Sequence, residues 1–287
     1  MMNKEGLVAL SMIMVSSVHC AMIDMTHTLN GDAVYFPEYM KFNMLNTMNG
    51  SFEDAPYVYM NDLELSEHLG THIDAPVHYG LGAKMLHELK LSELHGPGVV
   101  IDNREKAQKD PNAFVDIADL QLWEKEFGEI PEGAVIIQNS GWGKYWGDRD
   151  KFVGPNRTDG EGPLFQTPGF HPDAVKWLLQ YRDVNGFVVE GISCDSGVNA
   201  KTFMAHRVMF KKEKWCVENA ANVNKIPQHG SEVYVMPAKI ENGSGGPVRM
   251  FAIWDEVAPW HNANDANGGA MISIFMLACH FSILHMV

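Results

Sequence analysis

The chain is poor in positive charge: 22 Lys and Arg stand against 36 Asp and Glu, a net charge of −14. No basic run stands out, which excludes nucleic-acid backbones as partners. An acidic field attracts cations instead. Cysteine is scarce, four in 287 residues, so this is not a scaffold held together by disulfides. Internal repeats and linker-like stretches are lacking. What is present is an apolar fraction of 46%, enough to bury a large core as one big domain or two small ones.

The two ends read as address labels. Residues 1–6 carry one lysine and one glutamate, and the apolar run LVALSMIMVSSV (7–18) follows, then HCA. That run is too short to span a bilayer and has the length of a secretory signal, with residues 1–20 removed on export. A buried first strand or helix is the alternative. At the other end, small and polar residues lead into an apolar stretch over 270–287 with no basic cluster after it. Residues 258–287 resemble a signal for a GPI anchor, with a packed terminal helix or an uncleaved membrane tail as alternatives. Three glycosylation sequons, at Asn49, Asn156 and Asn242, agree with a secreted or cell-surface protein. The expected domain then spans 21–257. If Cys20 and Cys279 leave with the ends, Cys194 and Cys216 remain, as one disulfide or as two buried thiols.

The middle alternates strands and helices. GPGVVID (96–102) and GAVIIQNSG (133–141) read as strands. Between them DIADLQLWEKEFG (116–128) reads as a helix, with Asp116 as its cap, Ile117, Leu120 and Phe127 on one stripe, and Gly128 as its stop. HPDAVKWLLQYRD (171–183) starts with proline in its first turn, and Asn185-Gly186 is expected to turn the chain into the strand FVVEGIS (187–193). EVYVMPAKI (232–240) and GPVRMFAIW (246–254) are strand-like. Two helix-then-strand units imply an α/β domain whose sheet is partly parallel. Residues 141–170 show no periodicity, and segments of that length are either binding loops or ordered surface loops. Trp142, Tyr145 and Trp146 open this segment, just past a strand end where α/β proteins bind ligands.

In SEHLGTHIDAPVHYG (66–80), His68, His72, Asp74 and His78 all occupy even positions. In an extended segment even positions share one side. On a helix the four would fall near about 0°, 40°, 240° and 280°, two pairs pointing apart, and Gly70 and Pro76 argue against a helix. Imidazole with carboxylate suits zinc, manganese or ferrous iron. His68, His72 and Asp74 could supply three ligands, leaving a position open for water, with His78 as general base or acid beside them. Further along, Glu218 closes the apolar strand KWCVE, where an unpaired carboxylate is costly. It pairs either with a cation or with Arg207. A second metal site would use His206 as well, whereas a salt bridge would not call for it.

The segment HLGTHIDAPVH resembles the signature H-x-G-T-H-x-D-x-P-x-H of the cyclase family, which includes bacterial kynurenine formamidase and isatin hydrolase. AHRVMF (205–210) and VENAANV (217–223) are similar to that family's later His and Glu-Asn elements, and the likeness covers about residues 23–255. The resemblance implies an α/β single domain with a mixed, barrel-like sheet and flanking helices. It implies one or two divalent ions, Zn or Mn, on His68, His72 and Asp74, with His206 and Glu218 holding a second. It also implies His78 as the acid/base, and Phe36 against the substrate where an aromatic residue, usually tryptophan, is placed. GISCDSG (191–197) departs from the family's G-[IV]-D-T-x-S: Ser193 stands where an aspartate is common and Cys194 replaces a threonine, while Ser196 keeps the serine. Phe36, Trp142 and Ser196 are the expected substrate-binding residues. The expected activity is hydrolysis of a C–N amide bond in a small aromatic formamide or cyclic amide. The competing reading is a secreted, non-catalytic binder of metal or small ligands. A homodimer is expected, with membrane attachment through the C-terminal tail.

Overall fold

The computed structural model describes residues 19–34, 39–52, 55–154 and 165–256. The expected signal run at 7–18, the C-terminal tail, Phe36 and the sequon at Asn156 lie outside the described residues. The chain divides into a main unit, Met22–Trp254, and a second made of the two ends, of which only 19–21 and 255–256 are described. Among the described residues no helix is long and apolar enough to cross a membrane.

The strands are β1 (His19–Asp24), β2 (Asn43–Phe52), β3 (Ala55–Glu64), β4 (His72–Asp74), β5 (His95–Asp102), β6 (Phe114–Val115), β7 (Ala134–Asn139), β8 (Gly169–Phe170), β9 (Val184–Val188), β10 (Trp215–Glu218), β11 (Ser231–Pro237) and β12 (Gly245–Glu256). The helices are α1 (Arg104–Lys109), α2 (Ile117–Phe127), α3 (Arg149–Val153), α4 (Pro172–Tyr181) and α5 (Met204–Phe210). Within Met22–Trp254 the main sheet runs β1-β12-β11-β5-β7-β9-β10-β4, and β4 also pairs with β12, closing seven strands into a mixed barrel-like sheet. The β5–β7, β7–β9 and β9–β10 pairings are parallel, and those closing the ring through β4, β12 and β11 are antiparallel.

Two cores follow from strand alternation. Val100, Val135, Ile137, Val188 and Val217 point to one side, with Val233 and Val235 of β11. Val99, Ile101, Ile136 and Phe187 point to the other, against Leu120 of α2 and Val175 and Leu178 of α4. All six residues of β7 are buried, as a parallel strand covered on both faces requires. The caps of α2 form as expected: Asp116 accepts from Asp119 N, Asp119 from Asp116 N, and Gly128 takes φ 95°. Pro172 opens α4.

Asn185-Gly186 is not a turn but the middle of β9. Gly186 lies opposite Trp215 of β10, and a β-carbon there would sit 2.3 Å from the indole, so glycine admits the ring. Asn185 donates its amide to Ser92 O and His95 O. The strand ends at Val188, and residues 189–193 continue buried but out of the ladder. The segment expected without periodicity contains α3 and β8. Outside the barrel, β2 and β3 pair only with each other and leave Met44, Tyr57, Tyr59 and Leu63 more than half exposed.

Candidate metal centre

The four-residue motif reaches one place by three backbone devices rather than one extended run. Only His72–Asp74 is strand, which keeps His72 and Asp74 on one face. Gly70 turns the chain with φ 64°, bringing His68 back alongside. After Asp74 the chain enters a single 3-10 turn, Pro76–His78, which carries His78 onto His68 with ring centroids 4.0 Å apart. Gly245 of β12 lies opposite Asp74, and a β-carbon there would stand 2.7 Å from the His68 ring.

The other half comes from β10, antiparallel to β4. Glu218 stands opposite His72 and Cys216 opposite Asp74, so all four share one face. His206 is delivered by α5, whose preceding residue, Phe203, holds the left-handed φ 51°, a conformation costly for an aromatic residue. His206 Nε2 lies 3.0 Å from Glu218 Oε1 and 3.4 Å from Asp74 Oδ2. His72 Nε2 lies 3.3 Å from Asp74 Oδ1 and 3.5 Å from Glu218 Oε2. His68 Nδ1 is 2.6 Å from Asp74 Oδ1. Among the described residues, donor atoms within 4.8 Å of one another form three overlapping groups: His68, Asp74 and His78; His72, Asp74 and Glu218; and Cys194, His206 and Glu218. His68 thus groups with Asp74 and His78 rather than with His72, and Asp74 and Glu218 tie the groups together.

The proton inventory tests whether a cation fits. His72 Nδ1 lies 2.9 Å from Gly70 O, and a carbonyl only accepts, so this nitrogen carries the proton. His206 Nδ1 donates to Asp195 Oδ2 at 2.6 Å, and Asp195 also accepts from the N–H groups of Ala205 and His206. Both Nε2 lone pairs then aim at carboxylate oxygens, acceptor against acceptor. Such a set is stable only around a cation or with both rings charged. Burial works against charging His72, yet Asp74 and Glu218 overcome it and raise its pKa. Burial likewise opposes charge on His206, and Asp195, Asp74 and Glu218 push it well up. Burial would raise Asp74, but His68, His78 and His206 hold it well below the usual carboxylate range. The donor chemistry fits a divalent cation.

His78 behaves differently. Burial pulls its pKa down to about 4, Asp74 opposes that, and the neighbouring His68, His206 and His72 add to it. It is therefore a neutral imidazole beside the cluster. Tyr79 follows it, stacked on Phe203 at 5.2 Å and 4.6 Å from the His78 ring, with its pKa pushed up to about 12 by burial. Phe210 closes on His206 at 5.4 Å. The cluster thus has an aromatic wall.

The alternative partner of Glu218 does not materialise: Arg207 is exposed and donates to Thr202 O. Trp142 is not at the cluster. It packs with Phe152, Phe165 and Ile192, and its Nε1 donates to Phe152 O at 2.8 Å, because an indole buried there must satisfy its N–H. Ser196 is fully buried, and its Oγ has no partner among the described residues. Cys194 and Cys216 are joined as a disulfide, Cα atoms 6.8 Å apart. Sequence reasoning missed Asp195, Tyr79 and Phe203. Asp195 lies inside GISCDSG, displaced by two positions from the expected aspartate, and that near miss was the available signal.

Comparisons with known proteins fall on the same ground. Isatin hydrolase from Roseibium aggregatum is 32% identical over 207 residues, covering 70% of this chain and 76% of that protein. Kynurenine formamidase from Bacillus thuringiensis subsp. konkukian is 24% identical over 231 residues, covering 79% and 94%. The solved structure of isatin hydrolase A from Ralstonia solanacearum superimposes with a TM-score of 0.73 at 29% identity, over 82% of this chain and 92% of that one. The sequence profile of the Cyclase family matches residues 23–196, and with the closed mixed sheet and the His/Asp/Glu cluster already described, the chain belongs to the Cyclase family.

Proposed function

We propose that the protein is a metal-dependent hydrolase of a C–N amide bond in a small aromatic formamide or cyclic amide. The observation that carries this reading is the convergence of two imidazole Nε2 atoms on the carboxylates of Asp74 and Glu218, with neutral His78 beside them. His68, His72, Asp74, His206 and Glu218 would hold one or two zinc or manganese ions. A bound divalent ion would acidify a water and polarise a carbonyl. His78, neutral at the working pH, accepts the water's proton and returns it to the leaving nitrogen. Asp195 keeps the Nε2 of His206 aimed inward by holding the Nδ1 proton. Tyr79 and Phe203 offer faces for an aromatic ring.

A non-catalytic binder would be free to lose a ligand residue or His78, and here all six stand together, which favours catalysis. The test is turnover of N-formylkynurenine and isatin by metal-loaded protein, with and without chelator. Chelator-sensitive hydrolysis of one of them is expected. Chelator-insensitive turnover, or none on any aryl amide, would overturn the reading. We place the protein outside the cell on the strength of residues 7–18, which N-terminal sequencing of the mature chain checks. The exposed apolar residues of the β2–β3 hairpin support a homodimer, checked by light scattering.

A further inference from the structure

Two sulfurs lie against the cluster, and the function proposed above leaves them unused. Cys216 and Glu218 are two residues apart on β10 and share the face that carries His72 and Asp74. Cys194 leaves β9 on a buried loop and donates its backbone N–H to Glu218 Oε1 at 2.9 Å. The donor atoms of Cys194, His206 and Glu218 lie within 4.8 Å of one another, and all three residues are buried. Cys194 is also joined to Cys216. One sulfur therefore has two partners available, a second sulfur or a cation held by His206 and Glu218.

The geometry points to Cys194 as a third protein ligand, with His206 and Glu218, of a redox-gated cation site. This deepens the metal-centre reading and rests on it. A low-molecular-weight thiol such as glutathione supplies the reductant. Two R–SH become R–S–S–R, their two electrons and two protons cleave the Cys194–Cys216 bond, and two thiols result. On binding the ion, Cys194 gives its proton to solvent and its sulfur ligates as thiolate. A thiolate softens an otherwise nitrogen and oxygen site and favours zinc or cobalt over manganese. In the oxidised form Cys194 is committed to Cys216, and His206 and Glu218 are left to bind without sulfur. Losing a direct ligand should weaken zinc by no less than the roughly 10–100-fold that outer-shell partners command.

The experiment uses the full chain loaded with cobalt(II), after reduction by glutathione and desalting under nitrogen, or after oxidation. Reduced protein should show a thiolate-to-cobalt charge-transfer band in the near ultraviolet, and oxidised protein should lack it. Cys194→Ser should lack it in either state, while reduced Cys216→Ser should keep it, which assigns the ligand to Cys194. Cobalt uptake by the reduced protein without a sulfur band overturns this inference and leaves the metal-centre reading standing. Failure to take up cobalt at all overturns both. Should Cys194→Ser not fold, reduced Cys216→Ser, which keeps Cys194 and lacks Cys216, decides: a sulfur band supports the inference and its absence overturns it.

Discussion

Neighbouring strands of the closed sheet each end in a glutamate environment, and the two environments differ in how far donors satisfy the carboxylate. Beyond β9, Glu190 is buried and its oxygens meet donors: Ser140 N at 2.8 Å, Ser140 Oγ at 3.0 Å, Trp142 N at 3.3 Å and Gly143 N at 3.4 Å. At the end of β10, Glu218 is equally buried and accepts the backbone N–H of Cys194 at 2.9 Å, yet its oxygens also meet the Nε2 atoms of His72 and His206, across from Asp74. Backbone N–H groups complete the first carboxylate. The second belongs to a ring of acceptors that a cation would complete. Burial of a carboxylate therefore says little about function, and what its oxygens face says nearly everything.

The comparison breaks most sharply at Asp74, the residue shared by two of the donor groups. Asp74→Asn should reduce metal content, measured by plasma emission, to background, and turnover should fall with it. His78→Ala should lower turnover by roughly 10²–10⁴-fold while leaving metal content unchanged, because the variant removes the base and not a principal ligand. With the His78 pKa near about 4, the acid limb of the pH–rate profile should lie below the ordinary histidine value of about 6.5. An acid limb at that ordinary value would contradict the assignment. Asp195→Asn should weaken metal binding by about 10–100-fold, read by calorimetric titration, since the His206 ring loses the partner that orients it.

Glu190→Gln gives the smallest expected effect, within about 1 kcal/mol of wild type, with metal content unchanged. Its amide nitrogen can take the place of Oε1, which accepts only the long bond from Gly143. Burial raises the Glu190 pKa. The wild type therefore loses stability as pH rises through that raised value, and the glutamine variant does not. The melting temperature of the variant minus that of wild type should increase between about pH 4 and about pH 7. A decrease over that interval would refute the account of Glu190.

Much of this was legible beforehand. The capped helix over 117–127 and the buried strand over 134–139 follow from local signals: a capping aspartate, a stopping glycine and an unbroken apolar run. The clustering of His68, His72, Asp74 and His78 was legible from spacing, although Gly70 and the 3-10 turn at Pro76 achieve it instead of a single extended segment. Asn185-Gly186 misled because its glycine answers to Trp215 on the neighbouring strand, a demand no local pattern records. Where Trp142 packs was not legible either, because aromatics at a strand end serve ligands and packing alike; its N–H meets Phe152 O.

The sequence by itself determined that an acidic chain would gather imidazoles and carboxylates around one short motif in an α/β fold. It also presented FVVE and WCVE, two apolar strands ending in glutamate, and marked Glu218, through its spacing from His206 and the likeness of VENAANV, as a metal ligand. Only the tertiary structure showed what each carboxylate faces. The antiparallel register of β10 against β4 sets Glu218 opposite His72, while the turn after β7 wraps its N–H groups around Glu190. The physical reason is that a buried charge is defined by its partners: His206 lies 12 residues from Glu218, but His72 lies 146 away and the donors to Glu190 about fifty, outside any local pattern.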